Sequence, residues 1–215
     1  MKKYKSILKQ TNFTLEIQKS KFISYIKSVN SSEEANKFID EIKKQHKDAR
    51  HNTFAYIIDN EKEITEKYSD DKEPKGTAGP PILDIIKRME IKNVVIVVTR
   101  YFGGILLGAS GLIRAYSNAA KLVVEKAGIC DMVPFLKIKI SINYEDHGKI
   151  RNYFLNNNIC LYKENFFEKV NLYVYLKEED YDKIKQDIKD ITRDKQEVEE
   201  IDCVYLPVID GNVVI

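Results

Sequence analysis

The chain has 215 residues, 32% charged and 43% hydrophobic, with a formal net charge of +2, enough for one large or two small domains that each bury a core. Its most apolar run, VVIVV, is too short to cross a bilayer, and no apolar run follows the basic start MKKYKSILKQ, so we expect a cytoplasmic protein with no membrane partner. Three distant cysteines, Cys130, Cys160 and Cys203, exclude a disulfide framework and a zinc site and are expected to be buried, reduced thiols.

FTLEIQKSKFISYIKSV holds two β-rich runs broken at Lys19 and Ser20, which predicts a hairpin. SSEEANKFIDEIKKQH has serines ahead of Glu33 and Glu34, and apolar Ala35, Phe38, Ile39 and Ile42 at helical spacing, which predicts a capped helix. A second hairpin is expected from NTFAYIID and EITEKYS about a polar turn at residues 60–62. The loop SDDKEPKGTAGPP then leads to a short helix ILDIIKRME, the strand NVVIVVT, the turn GGILLGAS and a long helix. This mixed α/β domain is expected to end at Asp131.

FLKIKISINY alternates strictly, Leu136, Ile138, Ile140 and Ile142 on one face and Lys137, Lys139, Ser141 and Asn143 on the other, as a half-buried strand does. A helix over 146–156, strands ICLYKEN and KVNLYVYL, a helix over 179–191 and a strand within EVEEIDCVYLP complete the order strand, helix, strand, strand, helix, strand. That is the split βαβ pattern of a ferredoxin-like domain, expected over 132–215. The two parts differ in charge. Residues 1–131 carry 23 Lys+Arg against 17 Asp+Glu, net +6, and residues 132–215 carry 12 against 16, net −4. The imbalance points to an anionic partner for the first part, although solvated, uneven surfaces account for it equally well.

Between strand and helix, GGILLGAS fits the phosphate-loop pattern G-x-x-x-x-G-K-[ST] at Gly103, Gly108 and Ser110, but Ala109 holds the lysine position. Without that point charge, nucleotide triphosphate hydrolysis of the phosphate-loop type is not expected. Two readings stand: backbone N–H groups receiving an anion flanked by Arg100 and Arg114, or Gly103, Gly104, Gly108 and Gly111 serving only a tight turn. Asp70, Asp71 and Glu73 lie within four residues and could hold Mg²⁺, though Asp, Pro and Gly also compose ordinary turns. His46, His51 and His147 show no metal-ligand spacing and are expected at helix ends. In the second part, Lys137, Lys139, Tyr173 and Tyr175 mix basic and aromatic groups on one sheet face, a composition suited to stacking RNA or to a half-exposed sheet.

Read together, EPKGTAGPPIL and VVIVVTRYFGGILLGASGLIRAYS resemble the signature of the YigZ/IMPACT family, D-G-E-P-x-G-T-A-G-x-P followed by T-R-Y-[FY]-G-G-x-x-L-G-x-G-G-L-[IV]-[RK]-A-Y. The match runs through Glu73, Pro74, Gly76, Thr77, Ala78, Gly79 and Pro81, then from Thr99 through Gly104, and through Leu107, Gly108, Gly111, Leu112, Arg114, Ala115 and Tyr116. The resemblance implies an α+β protein. Its first domain would be of the left-handed βαβ type, similar to the second domain of a small-subunit ribosomal protein, and its second would be ferredoxin-like, similar to the last domain of elongation factor G.

It also implies a translation-related, nucleic-acid-binding role, with no agreed reaction and no cofactor. Eukaryotic IMPACT regulates translation through an additional N-terminal domain, a mechanism not carried over here. This sequence departs from the family at Lys72, where the pattern has glycine, at Lys75 and Pro80, and at Ser110, another usual glycine. A positive φ there would strain Ser110. The expected phosphate or RNA contacts are Lys75, Gly76, Thr77, Arg100, Tyr101, Gly103, Gly104, Gly108, Ser110, Gly111 and Arg114, and the expected partner is RNA, the ribosome or a translation-associated protein. The rival readings are a phosphotransfer or phosphohydrolase enzyme with Mg²⁺ on Asp70, Asp71 and Glu73, and a protein–protein adaptor.

Overall fold

The computed structural model describes residues 2–60 and 62–214. The chain forms two compact units, one of Tyr4–Asp131 and one that begins at Met132 and includes Lys2 and Lys3. Both are α+β with antiparallel sheets, as the sequence leads one to expect.

In the first unit, β1 (Tyr4–Ile7), β2 (Thr11–Ile17) and β3 (Ser20–Ser28) precede α1 (Ser32–Gln45). They are followed by β4 (His51–Asp59), β5 (Ile64–Ser69), α2 (Gly79–Arg88), β6 (Val94–Tyr101) and α3 (Gly108–Ala127). The main sheet has the order β2-β3-β6-β4-β5. β6 is its middle strand, and both its faces are covered: Val94, Ile96 and Val98 pack with α2 and α3, whereas Val95 and Val97 pack with α1. Burial on both faces is why NVVIVVT reads as an unbroken apolar run instead of an alternating one. α1 carries the expected N-terminal cap: Ser31 Oγ accepts from Glu34 N, while Glu34 Oε2 accepts from Asn30 N at 2.8 Å. All four apolar residues expected on its inner face are buried.

Three boundaries differ from expectation. β1 went unread because four residues carry too short a pattern; it is tied down by Lys92 N donating to Lys5 O and by Ile7 in the core. α2 begins at Gly79, so Pro80 and Pro81 occupy its first turn, where a missing N–H costs nothing. α3 begins at Gly108, which places Ala109 and Ser110 inside the helix. Ser110 is not among the residues of positive φ, so it carries no backbone strain, and its hydroxyl does not cap the helix. Glu61, in the expected polar turn, lies outside the described residues.

The second unit runs β7 (Ile129–Ile142), α4 (Tyr144–Asn156), β8 (Cys160–Phe166), β9 (Val170–Leu176), α5 (Tyr181–Thr192), β10 (Glu197–Ile209) and β11 (Asn212–Val213). Its sheet order, β11-β10-β7-β9-β8, is that of a ferredoxin-like unit with one short strand added at the edge. Ile138, Ile140 and Ile142 of β7 pack with Ile150 and Phe154 of α4 and Ile184 and Ile188 of α5. The opposite face holds the basic and aromatic groups singled out in sequence, and they engage their neighbours. Tyr162 stacks on Tyr175 at 4.2 Å, Lys137 sits over the Tyr162 ring, and Lys139 pairs with Glu199. Of the three cysteines, Cys130 is buried and Cys160 and Cys203 are half-buried. Among the described residues no helix is long and apolar enough to cross a membrane.

Candidate functional site

The two motif loops meet. Register in the first unit sets His51 of β4 opposite Arg100 of β6, and Arg100 opposite Phe22 of β3. The loop after β5 folds over this end of the sheet and brings Glu73 to Arg100, Nη1 to Oε1 at 2.7 Å, with both side chains almost fully buried. Glu73 Oε1 also accepts from the Tyr116 hydroxyl at 2.8 Å, and Arg100 Nη2 donates to Ser20 Oγ at 3.4 Å. The guanidinium lies 5.3 Å from the Phe22 ring and 5.6 Å from the Phe102 ring. Burial, and then the neighbouring Glu73 charge, push the Tyr116 phenol far above its ordinary range, so it serves as a hydrogen-bond donor. Arg100 therefore joins β3, β6, α3 and the 70–78 loop.

Beside this pair lies a cleft of about 360 Å³, lined by Arg50, His51, Lys72, Glu73, Pro74, Arg100, Phe102, Leu106, Leu107, Gly108, Ala109 and Leu112. Arg100 and Glu73 cancel within its wall. Arg50 and Lys72 are exposed and make no ion pair among the described residues, so the cleft keeps an uncompensated positive charge. His51 Nδ1 is 2.8 Å from the Asp71 carbonyl oxygen, which can only accept, so Nδ1 is the donor; Nε2 faces Glu73 Oε1 at 3.8 Å. The N-terminus of α3 opens onto the same space at Gly108 and Ala109, and no side chain caps it.

Of the contacts expected from sequence, Arg100 and Gly108 line this cleft; the others do not. Arg100 is a correction in kind, since both its terminal nitrogens are engaged inside the protein and it is a wall, not an arm toward solvent. Arg114 and Lys75 are exposed but away from the cleft. Thr77 is buried and donates to Pro74 O, and Gly76 donates to Asp70. Strand alternation turns Tyr101 away from the Arg100 side: its hydroxyl donates to Asp48 and accepts from His46 Nδ1, while Tyr25 donates to His46 Nε2 at 2.6 Å. Burial lowers the His46 pKa, more than Asp48 raises it, in keeping with this neutral, fully bonded ring. Gly103, Gly104, Ser110 and Gly111 shape the loop and helix start without lining the cleft.

The three carboxylates of the metal reading each have a partner within the protein. Asp70 accepts from Gly76 N at 2.8 Å, Ala78 N at 3.0 Å and Gly79 N at 2.9 Å, thereby capping α2 from a distance. Asp71 Oδ2 accepts from Asn52 N at 2.6 Å, and Glu73 is paired with Arg100. Among the described residues no group of three His, Cys, Asp or Glu is placed to hold a metal ion.

Sequence reasoning missed Arg50, expected His51 at a helix end where it opens β4, and noticed Lys72 only as a departure. Lys72 has φ +70, the left-handed region that favours glycine, which gives a physical reason for the glycine in the family pattern. A lysine held there costs about 1–2 kcal/mol, a strain that persists where a functional side chain is wanted. Lys72→Gly is expected to raise stability by about 0.5–1 kcal/mol in chemical denaturation, part of the relief being lost to unfolded-state entropy.

Residues 18–124 match the Impact N-terminal domain, and residues 140–195 match a domain of unknown function, DUF1949. The chain is 37% identical to the IMPACT family member YvyE of Bacillus subtilis (strain 168) over 190 residues, 88% of this chain and 87% of that one. Identity to the IMPACT family member YigZ of Escherichia coli (strain K12) is 33% over 132 residues, 60% of this chain and 64% of that one. A crystal structure of a hypothetical protein matches with a TM-score of 0.61 at 25% identity, over 94% of this chain and 98% of that one.

Proposed function

The chain belongs to the IMPACT family, and from that footing we propose that it is a translation-linked regulator whose first unit contacts RNA at the cleft between its two motif loops. One observation carries the reading: among the described residues Arg50 and Lys72 make no ion pair at the cleft, while Arg100 and Glu73 beside them cancel. Lysines and arginines left without carboxylate partners beside an uncapped helix N-terminus form an electrostatic footprint for phosphate. The net +6 of residues 1–131 acts in the same direction. The link to translation is the one that the family resemblance implies.

The test is a titration of labelled, structured ribosomal RNA with the intact protein and with an Arg50→Ala, Lys72→Ala double variant, over a range of salt. Both side chains are exposed, so the double variant should fold. We expect at least a tenfold loss of affinity and a salt dependence shallower by about 1–2 in log–log slope, as two phosphate contacts disappear. Equal affinity of the two proteins, or no binding by either, would end this reading.

A further inference from the structure

The cleft has a second wall that phosphate contacts alone do not use. Besides Arg50 and Lys72 the lining includes Phe102, Leu106, Leu107 and Leu112; Leu112 is buried, but Leu106 is 85% exposed and Phe102 39%. Side chains this apolar, left in water beside uncompensated cations, match a ligand with one flat apolar face and one anionic group. The volume of about 360 Å³ lies at the small end of the range for small-molecule sites. A duplex presents its backbone over a far wider surface, with no exposed base to set against the leucines.

We propose that the cleft receives a single unpaired nucleotide, its base against Phe102, Leu106 and Leu112 and its phosphate between Arg50, Lys72 and the first backbone N–H groups of α3. The proposal rests on the RNA-contact reading and narrows it to single-stranded or terminal nucleotides. Phe102 already lies 5.8 Å from the Arg50 guanidinium, so ring and cation form a platform of the kind on which bases stack. An acidic, apolar peptide would offer similar charge and surface. It would also bring backbone N–H groups against leucine and phenylalanine side chains, which offer them no acceptor. A base can leave its polar edge in water.

Calorimetric titration of the intact protein with the four nucleoside 5′-monophosphates, the matching nucleosides and inorganic phosphate tests this. The monophosphates should bind, with nucleoside and phosphate each at least tenfold weaker, and Arg50→Ala and Leu106→Ser should each weaken monophosphate binding at least fivefold. Both substitutions are at exposed positions, so loss of fold does not explain such a result. The monophosphates and a short single-stranded RNA should displace labelled ribosomal RNA, whereas a blunt duplex should not. Inorganic phosphate binding as tightly as the nucleotides, or displacement by an acidic peptide and not by nucleotides, overturns the proposal. Ribosomal RNA that binds through Arg50 and Lys72 yet is untouched by monophosphates overturns it while leaving the RNA reading intact. Monophosphate binding without any RNA binding upholds the nucleotide site and removes the RNA reading.

Discussion

Replacing Arg100 by alanine should destabilise the first unit by about 3–5 kcal/mol, the range for removing one partner of a buried ion pair. Coulomb attraction is not the reason for so large an effect, since desolvating both groups offsets much of it. What matters is the remainder: without the guanidinium, Glu73 keeps a carboxylate with 3% of its side chain exposed and the Tyr116 hydroxyl as its closest donor. A cavity also opens where the guanidinium lay near Phe22 and Phe102. Arg100→Met combined with Glu73→Gln removes both charges and refills the space, so it should recover most of the loss, and the coupling from the double-mutant cycle should exceed about 1 kcal/mol. Arg100→Lys should fall between, because one ammonium cannot span from Glu73 to Ser20 as the planar fork does. Urea unfolding followed by circular dichroism measures the wild type, Arg100→Ala, Arg100→Lys, and the Arg100→Met and Glu73→Gln changes singly and together. A cost below about 1 kcal/mol for Arg100→Ala would mean that the pair does not hold the two loops together.

The burial of Arg100 was not legible in the sequence. The motif names Glu73 and Arg100, but they are 27 positions apart, and nothing in local periodicity says that they pair. The pairing depends on the order β3-β6-β4, set by crossovers through α1 and α2. One signal was available: the unbroken run NVVIVVT implies a strand covered on both faces, and Thr99 and Arg100 continue that strand. A cation there has to find a buried partner. Arg50 and His51 were invisible for a related reason. As residues between a helix and a strand they look like a helix end, and only the register of β4 on β6 brings His51 to the motif arginine. The second unit was easier to read because one face of its sheet is apolar and the other polar, so Leu136 to Ile142 alternate openly. Its two-residue last strand, turned at Asp210 and Gly211, is too short to carry any pattern.

The glycines of the second motif make separable demands, and Gly103→Ala should expose the harder one. A Cβ at Gly103 would stand 2.0 Å from the Lys19 carbonyl carbon, 2.1 Å from its oxygen and 2.4 Å from Ser20 N. All three are backbone atoms, so no rotamer change relieves the overlap and the β2–β3 turn has to move away. That turn cannot give freely, because Gln18 and Lys19 are already held at positive φ. Its retreat would also carry off Ser20, whose hydroxyl oxygen accepts from Gly103 N at 3.2 Å and from Arg100. The expected cost is about 3 kcal/mol or more, at the upper end for overpacking. Gly104→Ala is the contrast, since its Cβ would meet nothing within 4 Å and only the φ of +85 opposes it, a penalty of about 1 kcal/mol. Thermal denaturation of the two variants should therefore separate crowding from backbone conformation. Binding should separate them again: Gly103→Ala loosens the Ser20–Arg100–Glu73 chain behind the cleft and should weaken nucleotide binding from a distance, while Gly104→Ala leaves that chain in place. If both variants unfold at the same temperature, the close approach of the loop to Lys19 is not what fixes glycine at 103.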